Sequence, residues 1–410
     1  MRRASGLAAL AAVVGPGVLA GLSDDDPAGI TTYSILGADY GYSLLWVLLL
    51  STLALIVFHE LGARTGIATG QGLAGLARDR FGLRWAGLVV AALVIANLGT
   101  TCAEFAGIAA ASELGGVDRL VSVPIAAVAL SLLVLKGGFR RIEHVLLALA
   151  TVFAAYIVAG LLAGPDWAAA AEGLVVPRVP AGSATLVAVA ATVGTTLAPW
   201  GLAFIQSYAV DKRLSISQLR LERIDVVTGA AMTGVIGFFI VIACAATLHA
   251  DGRSIDTAGD AALALEPLAG QFASLLFGAG LLGAALLAAS ILPLSTAYSV
   301  SEFLGYEAAL DDSLSEAPFF YASYVLIVGI AVVAVLSAGG ALIPILYLTQ
   351  ALNAILLPPL LVMMWRIGRD PTAMGDLATG RMLSLGQLAA LAMVVASVVA
   401  LAASPLLRSL

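Results

Sequence analysis

Apolar residues gather along this chain into long runs, each near the roughly 20 residues that a helix needs to cross a bilayer. Eleven such runs can be marked, at 12–35, 43–62, 85–112, 121–136, 143–163, 185–209, 225–249, 269–298, 319–337, 341–365 and 384–405. No long polar stretch separates them, so the pattern predicts an all-α membrane protein built as a single domain. Met1-Arg2-Arg3 ahead of the first run has the look of a leader. That run meets Asp24-Asp25-Asp26-Pro27 with no small-residue cleavage site before it, so it is read as the first span.

Two runs are interrupted near their middles. The first holds Gly21-Leu22-Ser23-Asp24-Asp25-Asp26-Pro27-Ala28-Gly29, and the sixth holds Gly194-Thr195-Thr196-Leu197-Ala198-Pro199-Trp200-Gly201. Proline removes a backbone donor and clashes with the preceding turn, and glycine weakens the helix further. Carbonyls freed at membrane depth need a protein, water or ion partner. Either defect alone reads as a packing kink. Two of them five spans apart predict inverted repeats with a binding site between two unwound helices. Residues 12–163 are expected to form the first repeat and 185–365 the second, with 384–405 as an added helix.

Composition supports a membrane setting. Hydrophobic residues make up 61% of the chain and charged residues 11%, against about a quarter charged in soluble domains. This excludes a soluble enzyme, a disordered protein and, with a net charge of -6, a nucleic-acid binder. With the N-terminus in the cytoplasm, 16 of the 20 Lys and Arg residues fall on the inner side, so the chain is expected in the cytoplasmic membrane in that orientation. Cys102 and Cys244 lie in apolar runs and read as packing residues. His59, His144 and His249 are too scattered to suggest a zinc or haem site.

Candidate chemistry centres on the first break. An ionised carboxylate in a bilayer is costly enough to mark function, and a cation reverses the cost. Asp26, beside the break, is the candidate ligand. Asp24 and Asp25 project about 100° apart and either line a wet vestibule or join the ligation. Glu104 in the third span is either a cavity acid or a hydrogen-bonded structural acid. Gln350 and Asn353, one turn apart, either line the path or join helices. Glu302 and Asp225 read as interfacial charges, and His59, Glu60 and Arg64 as a gate or surface cluster.

These residues resemble a known family. Gly15-Pro16-Gly17, Asp26-Pro27-Ala28-Gly29, Gly41-Tyr42-Ser43-Leu44-Leu45-Trp46 and Gly66-Ile67-Ala68-Thr69-Gly70 are similar to the opening of the Nramp family of divalent-metal transporters. The likeness continues through Ala103-Glu104-Phe105, Gly194 to Pro199, and Gln350 followed by Pro358. It implies a LeuT-like arrangement of five plus five inverted helices, with the first and sixth broken and an eleventh added.

The departures from the family pattern are informative. Classical members carry Asp-Pro-Gly-Asn in the first span, with Asp and Asn on the metal; here Asp26 is kept and Gly29 replaces the Asn. The sixth-span Ala-x-x-Met-Pro-His becomes Thr195, Ala198, Pro199 and Trp200. An acid linked to proton transfer aligns with Thr101. Loss of the thioether discards a soft ligand that favours transition metals over hard ions. Mg²⁺ dehydrates reluctantly and binds through one or two carboxylates with several waters retained. The pattern resembles the Nramp-related magnesium transporters, a branch described as lacking proton coupling.

The resemblance therefore implies a Mg²⁺ transporter, passing Mn²⁺ as well, with Asp26, Gly29, Thr195, Ala198 and Gln350 around the ion. Asp24, Asp25, Thr101, Glu104, Trp200 and Asn353 stand behind them. The metal is cargo, no cofactor is expected, the surroundings are lipid, and the chain is expected to be a monomer. A proton-coupled Mn²⁺/Fe²⁺ importer is the alternative in the same class. An organic-solute permease is the alternative in another class, disfavoured by three acids where an anion would sit.

Overall fold

A computed structural model describes residues 24–135, 154–306, 314–339 and 342–407. The Gly15-Pro16-Gly17 motif, residues 12–23 of the first run, residues 143–153 of the fifth, His144, and the acidic Glu307, Asp311 and Asp312 lie outside them. Helices account for nearly all of the rest. In chain order the main ones are α1 (Pro27–Tyr40), α2 (Leu45–Thr69), α3 (Leu73–Leu114), α4 (Arg119–Leu135), α5 (Ala154–Leu162) and α6 (Ser183–Thr196). They continue with α7 (Pro199–Asp211), α8 (Leu219–Cys244), α9 (Ala273–Leu304), α10 (Pro318–Ser337), α11 (Leu342–Gly368) and α12 (Arg381–Leu407). Each of the eleven expected segments overlaps one of these over its described residues, the first and fifth only in part and the sixth with α6 and α7 together. Among the described residues, eight helical segments are long and apolar enough to cross a membrane.

The exterior is apolar and the interior carries the polar groups. Leu49, Leu50 and Leu53 on α2, Leu120, Ile125 and Val128 on α4, and Leu385 and Val399 on α12 are exposed. Asp24, Asp25, Asp26, His59, Glu104, Gln206 and Gln350 are buried. A bilayer dictates this inversion, because its core offers no water to solvate exposed polar groups.

Local chemistry sets the helix ends. α1 starts with Pro27 at its first position, where a missing N–H costs nothing, and stops at Gly41, whose φ is 57°. α3 begins earlier than the apolar run predicts, at Leu73 rather than residue 85, and bends at Gly82, whose φ of 78° suits glycine. The polar first turns, with Arg78, Asp79 and Arg80, hid that extension from a hydropathy reading. α9 passes behind the site, and α3 packs along it; Gly107 of α3 lies so close to Pro27 that a Cβ there would collide with the proline ring.

Candidate cation site at the helix breaks

Both interruptions are present and share one construction. Asp26 is extended (φ -73°, ψ 170°) and precedes Pro27, which opens α1; Asp24 ahead of it is helical. Ala198 is likewise extended (φ -51°, ψ 128°) and precedes Pro199, which opens α7. Proline disfavours α conformation in the residue before it while its own φ suits a helix start. Each Xaa-Pro therefore begins a helix, and Ala198-Pro199 separates α6 from α7.

The breaks face one another. Asp26 caps α1, its Oδ1 accepting from the Gly29 amide at 2.5 Å. The Tyr33 hydroxyl meets Thr196 Oγ1 at 2.9 Å, and Thr196 donates back to the Thr192 carbonyl at 2.7 Å, which ties α1 to α6. Gly194 lets α6 rest directly on the backbone carbonyl of Gln350 in α11.

Gly29 is hemmed in by oxygen. A Cβ at that position would lie 2.9 Å from the Asp24 carbonyl, 3.2 Å from Asp26 Oδ1 and 3.3 Å from Thr195 Oγ1. Thr195 is buried and its hydroxyl has no partner. Three oxygens of three kinds thus crowd this position, with neither sulfur nor nitrogen among them. Among the described residues, no three His, Cys, Asp or Glu side chains gather closely enough to enclose a metal ion.

The remaining candidates fall around this centre. The Glu104 carboxyl interacts with that of Asp26, and no donor reaches either of its oxygens. Asp25, wholly buried and unpartnered, is the acid whose charge bears most on Tyr33. Thr101 donates to the Asn97 carbonyl of its own helix at 2.7 Å. Asn353 donates to Thr100 Oγ1 and to Gln350 Oε1, each at 2.9 Å, and so joins α11 to α3. Gln350 Oε1 keeps a second lone pair beyond the bond from Asn353, and its Nε2 has no partner. Trp200 is buried with its Nε1 unpartnered, and its carbonyl accepts from Ser295 at 3.0 Å. Cys102 and Cys244 are both free.

Two readings change. Glu302, expected at the interface, accepts from Ser207 Oγ at 2.6 Å and from the Ala74 amide at 3.2 Å, linking α7, the start of α3 and the end of α9. The group of His59, Glu60 and Arg64 divides. Glu60 bridges Arg64 at 2.9 Å and Arg223 at 2.8 Å, while His59, the neighbouring residue on the helix, points into the protein with neither nitrogen partnered. Sequence reasoning missed Tyr33, two turns beyond Asp26 on the same face, although that spacing was readable. It also missed the placement of His59 and Gly201 beside Asp24, which depends on α7 crossing α2.

A helical bundle entered by two proline-terminated breaks around buried acids defines an all-α membrane protein of the LeuT-like class. A family model described as Nramp, natural resistance-associated macrophage protein-like, matches residues 17–404, and the chain belongs to that family. The divalent metal cation transporter MntH of Burkholderia ambifaria is 34% identical over 291 residues, 67% of this chain and 64% of that protein. Its counterpart from Deinococcus radiodurans is 34% identical over 284 residues, 65% of this chain and 64% of that protein. The chain thus aligns with just under two thirds of the length of these relatives. A manganese transporter from Eremococcus coleocola, solved with an aromatic bis-isothiourea substituted compound, shares the fold with a TM-score of 0.78. It is 20% identical, over 98% of this chain and 88% of that one. Mhp1, a nucleobase-cation-symport-1 family transporter, superposes with a TM-score of 0.58 at 16% identity, over 95% of this chain and 90% of its own.

Proposed function

We propose that this protein carries a divalent cation across the cytoplasmic membrane by alternating access, with the ion held between the two breaks. One observation supports the reading: the Asp24 carbonyl, the Asp26 carboxylate and the Thr195 hydroxyl gather around Gly29, with no side chain between them. Asp26 supplies the charge, and Ala198 supplies room where a thioether would stand. Gln350 accepts from a water of the ion's shell through the free lone pair of its Oε1. Repeats at 12–163 and 185–365 rock about this point, with 384–405 outside the exchange. The N-terminus is cytoplasmic and the chain works as a monomer in lipid.

The favoured cargo is Mg²⁺ that keeps part of its water, with Mn²⁺ also accepted. An all-oxygen donor set suits hard cations, and its single ligating carboxylate suits an ion that dehydrates reluctantly. Inward movement needs no proton, because a divalent cation gains about 4.6 kcal/mol per 100 mV of membrane potential. In a second reading, proton-coupled Mn²⁺ import, the cargo agrees with the likeness to a manganese transporter, and the coupling is favoured by the Asp26–Glu104 carboxyl pair, which is suited to sharing a proton.

Proteoliposomes separate the two. The Mg²⁺ reading expects Mg²⁺ uptake, inhibition of Mn²⁺ uptake by excess Mg²⁺, and no acidification of the lumen. Mn²⁺ uptake that resists Mg²⁺ and acidifies the lumen in step would establish the second reading instead.

A further inference from the structure

Asp24 lies against two glycines at once. Its carbonyl lies over Gly29, while its side chain turns away, toward α7. A Cβ at Gly201 would lie 3.3 Å from Asp24 Oδ1 and 3.3 Å from His59 Nε2. The two atoms are thus at most twice that, 6.6 Å, apart, and they are not hydrogen-bonded to each other. Asp24 is 1% exposed and His59 0%, and none of their four polar side-chain atoms has a partner. A histidine buried for packing normally has its ring N–H satisfied. An anionic oxygen and an imidazole nitrogen, brought from different helices to one point, instead make a donor pair without an occupant. Glycine at 201 leaves no side chain between the two groups.

The spacing suits a cation. Bonds of about 2.1 Å to one shared ion place two donors up to roughly 4.2 Å apart, and a ligand water hydrogen-bonded to one of them extends the reach to about 7 Å, which covers the 6.6 Å bound. The donor types also differ from those above Gly29. Imidazole suits first-row transition ions, whereas carboxylate, carbonyl and water suit Mg²⁺.

We propose that Asp24 and His59 form a second cation station beside Gly201, which takes a transition divalent ion such as Mn²⁺ through one carboxylate oxygen and one imidazole nitrogen. It lies on the α7 side of the first break, the side that the Lys/Arg distribution assigns to the cytoplasm. Asp24 then serves both stations, its carbonyl above Gly29 and its carboxylate above Gly201. The station rests on the transport reading only for how an ion arrives; binding there does not require transport.

Pulsed electron paramagnetic resonance of the full-length protein in detergent, loaded with Mn²⁺ below one equivalent, tests this. The bound Mn²⁺ is expected to show nitrogen-14 modulation from one imidazole. His59→Gln abolishes it. Gly201→Ala, which keeps the imidazole but adds a carbon 3.3 Å from both donors, reduces it several-fold. His249→Gln and Asp26→Asn retain it. Matching elution profiles and melting temperatures show that the variants fold. Absence of nitrogen modulation in the wild type, its survival in His59→Gln, or its loss in Asp26→Asn would overturn the second station. A wild type that shows the modulation but moves no metal would overturn the transport reading and leave the station standing.

Discussion

Gly29→Ala places one methyl group among the oxygens of the proposed ion site. The added carbon would sit 2.9 Å from the Asp24 carbonyl, 3.2 Å from Asp26 Oδ1 and 3.3 Å from Thr195 Oγ1. It cannot coincide with an ion or a water, but it crowds all three oxygens and shuts out a water that bridges one of them to the ion. A hydrogen bond from such a water to a carboxylate contributes about 1.5–3 kcal/mol, and its loss weakens binding by roughly 10- to 150-fold. Folding moves much less. Alanine in place of glycine gains about 0.5–1 kcal/mol in a helix, while the approach to the Asp24 carbonyl forces a small backbone adjustment that offsets it. The expected result is an apparent KM for Mg²⁺ raised at least tenfold in proteoliposome uptake, with a melting temperature within a few degrees of wild type. An unchanged KM in a protein of unchanged stability would refute the placement of the ion above Gly29.

Three further outcomes follow from the same geometry. Ala198→Met returns a thioether to the second break, and competition assays should show Mn²⁺ or Cd²⁺ gaining about tenfold over Mg²⁺. Glu104→Gln should keep uptake with affinity within about tenfold of wild type, since Asp26 carries the ionic contact; complete loss in the transport assay would make Glu104 an equal partner. Gly194→Ala drives a methyl into the Gln350 carbonyl and should lower stability by about 2 kcal/mol, read as a drop of several degrees in thermal unfolding by intrinsic fluorescence.

The spans and breaks were legible because a bilayer allows few ways to satisfy a backbone, and Asp-Pro and Ala-Pro are local signals. Asp26 could be singled out for the same reason. The extension of α3 to Leu73 was not legible, since its first turns carry charges at the membrane edge, where hydropathy loses its contrast. The grouping of Asp24, His59 and Gly201 was not legible either. Nothing local relates residues 24, 59 and 201; only the crossing of α7 over α2 does. Hydrogen bonding separated residues that composition could not. Asn353 and Gln350 share a helix face, yet Asn353 joins α11 to α3 while Gln350 retains an open donor.

The account stands most directly on the carboxylate at the first break. Metal uptake by Asp26→Ala in proteoliposomes, with Mg²⁺ and Mn²⁺ supplied separately under an inside-negative potential, is expected to fall to the level of empty vesicles for both ions while the protein still melts cooperatively. Uptake at the wild-type rate for either ion would contradict it.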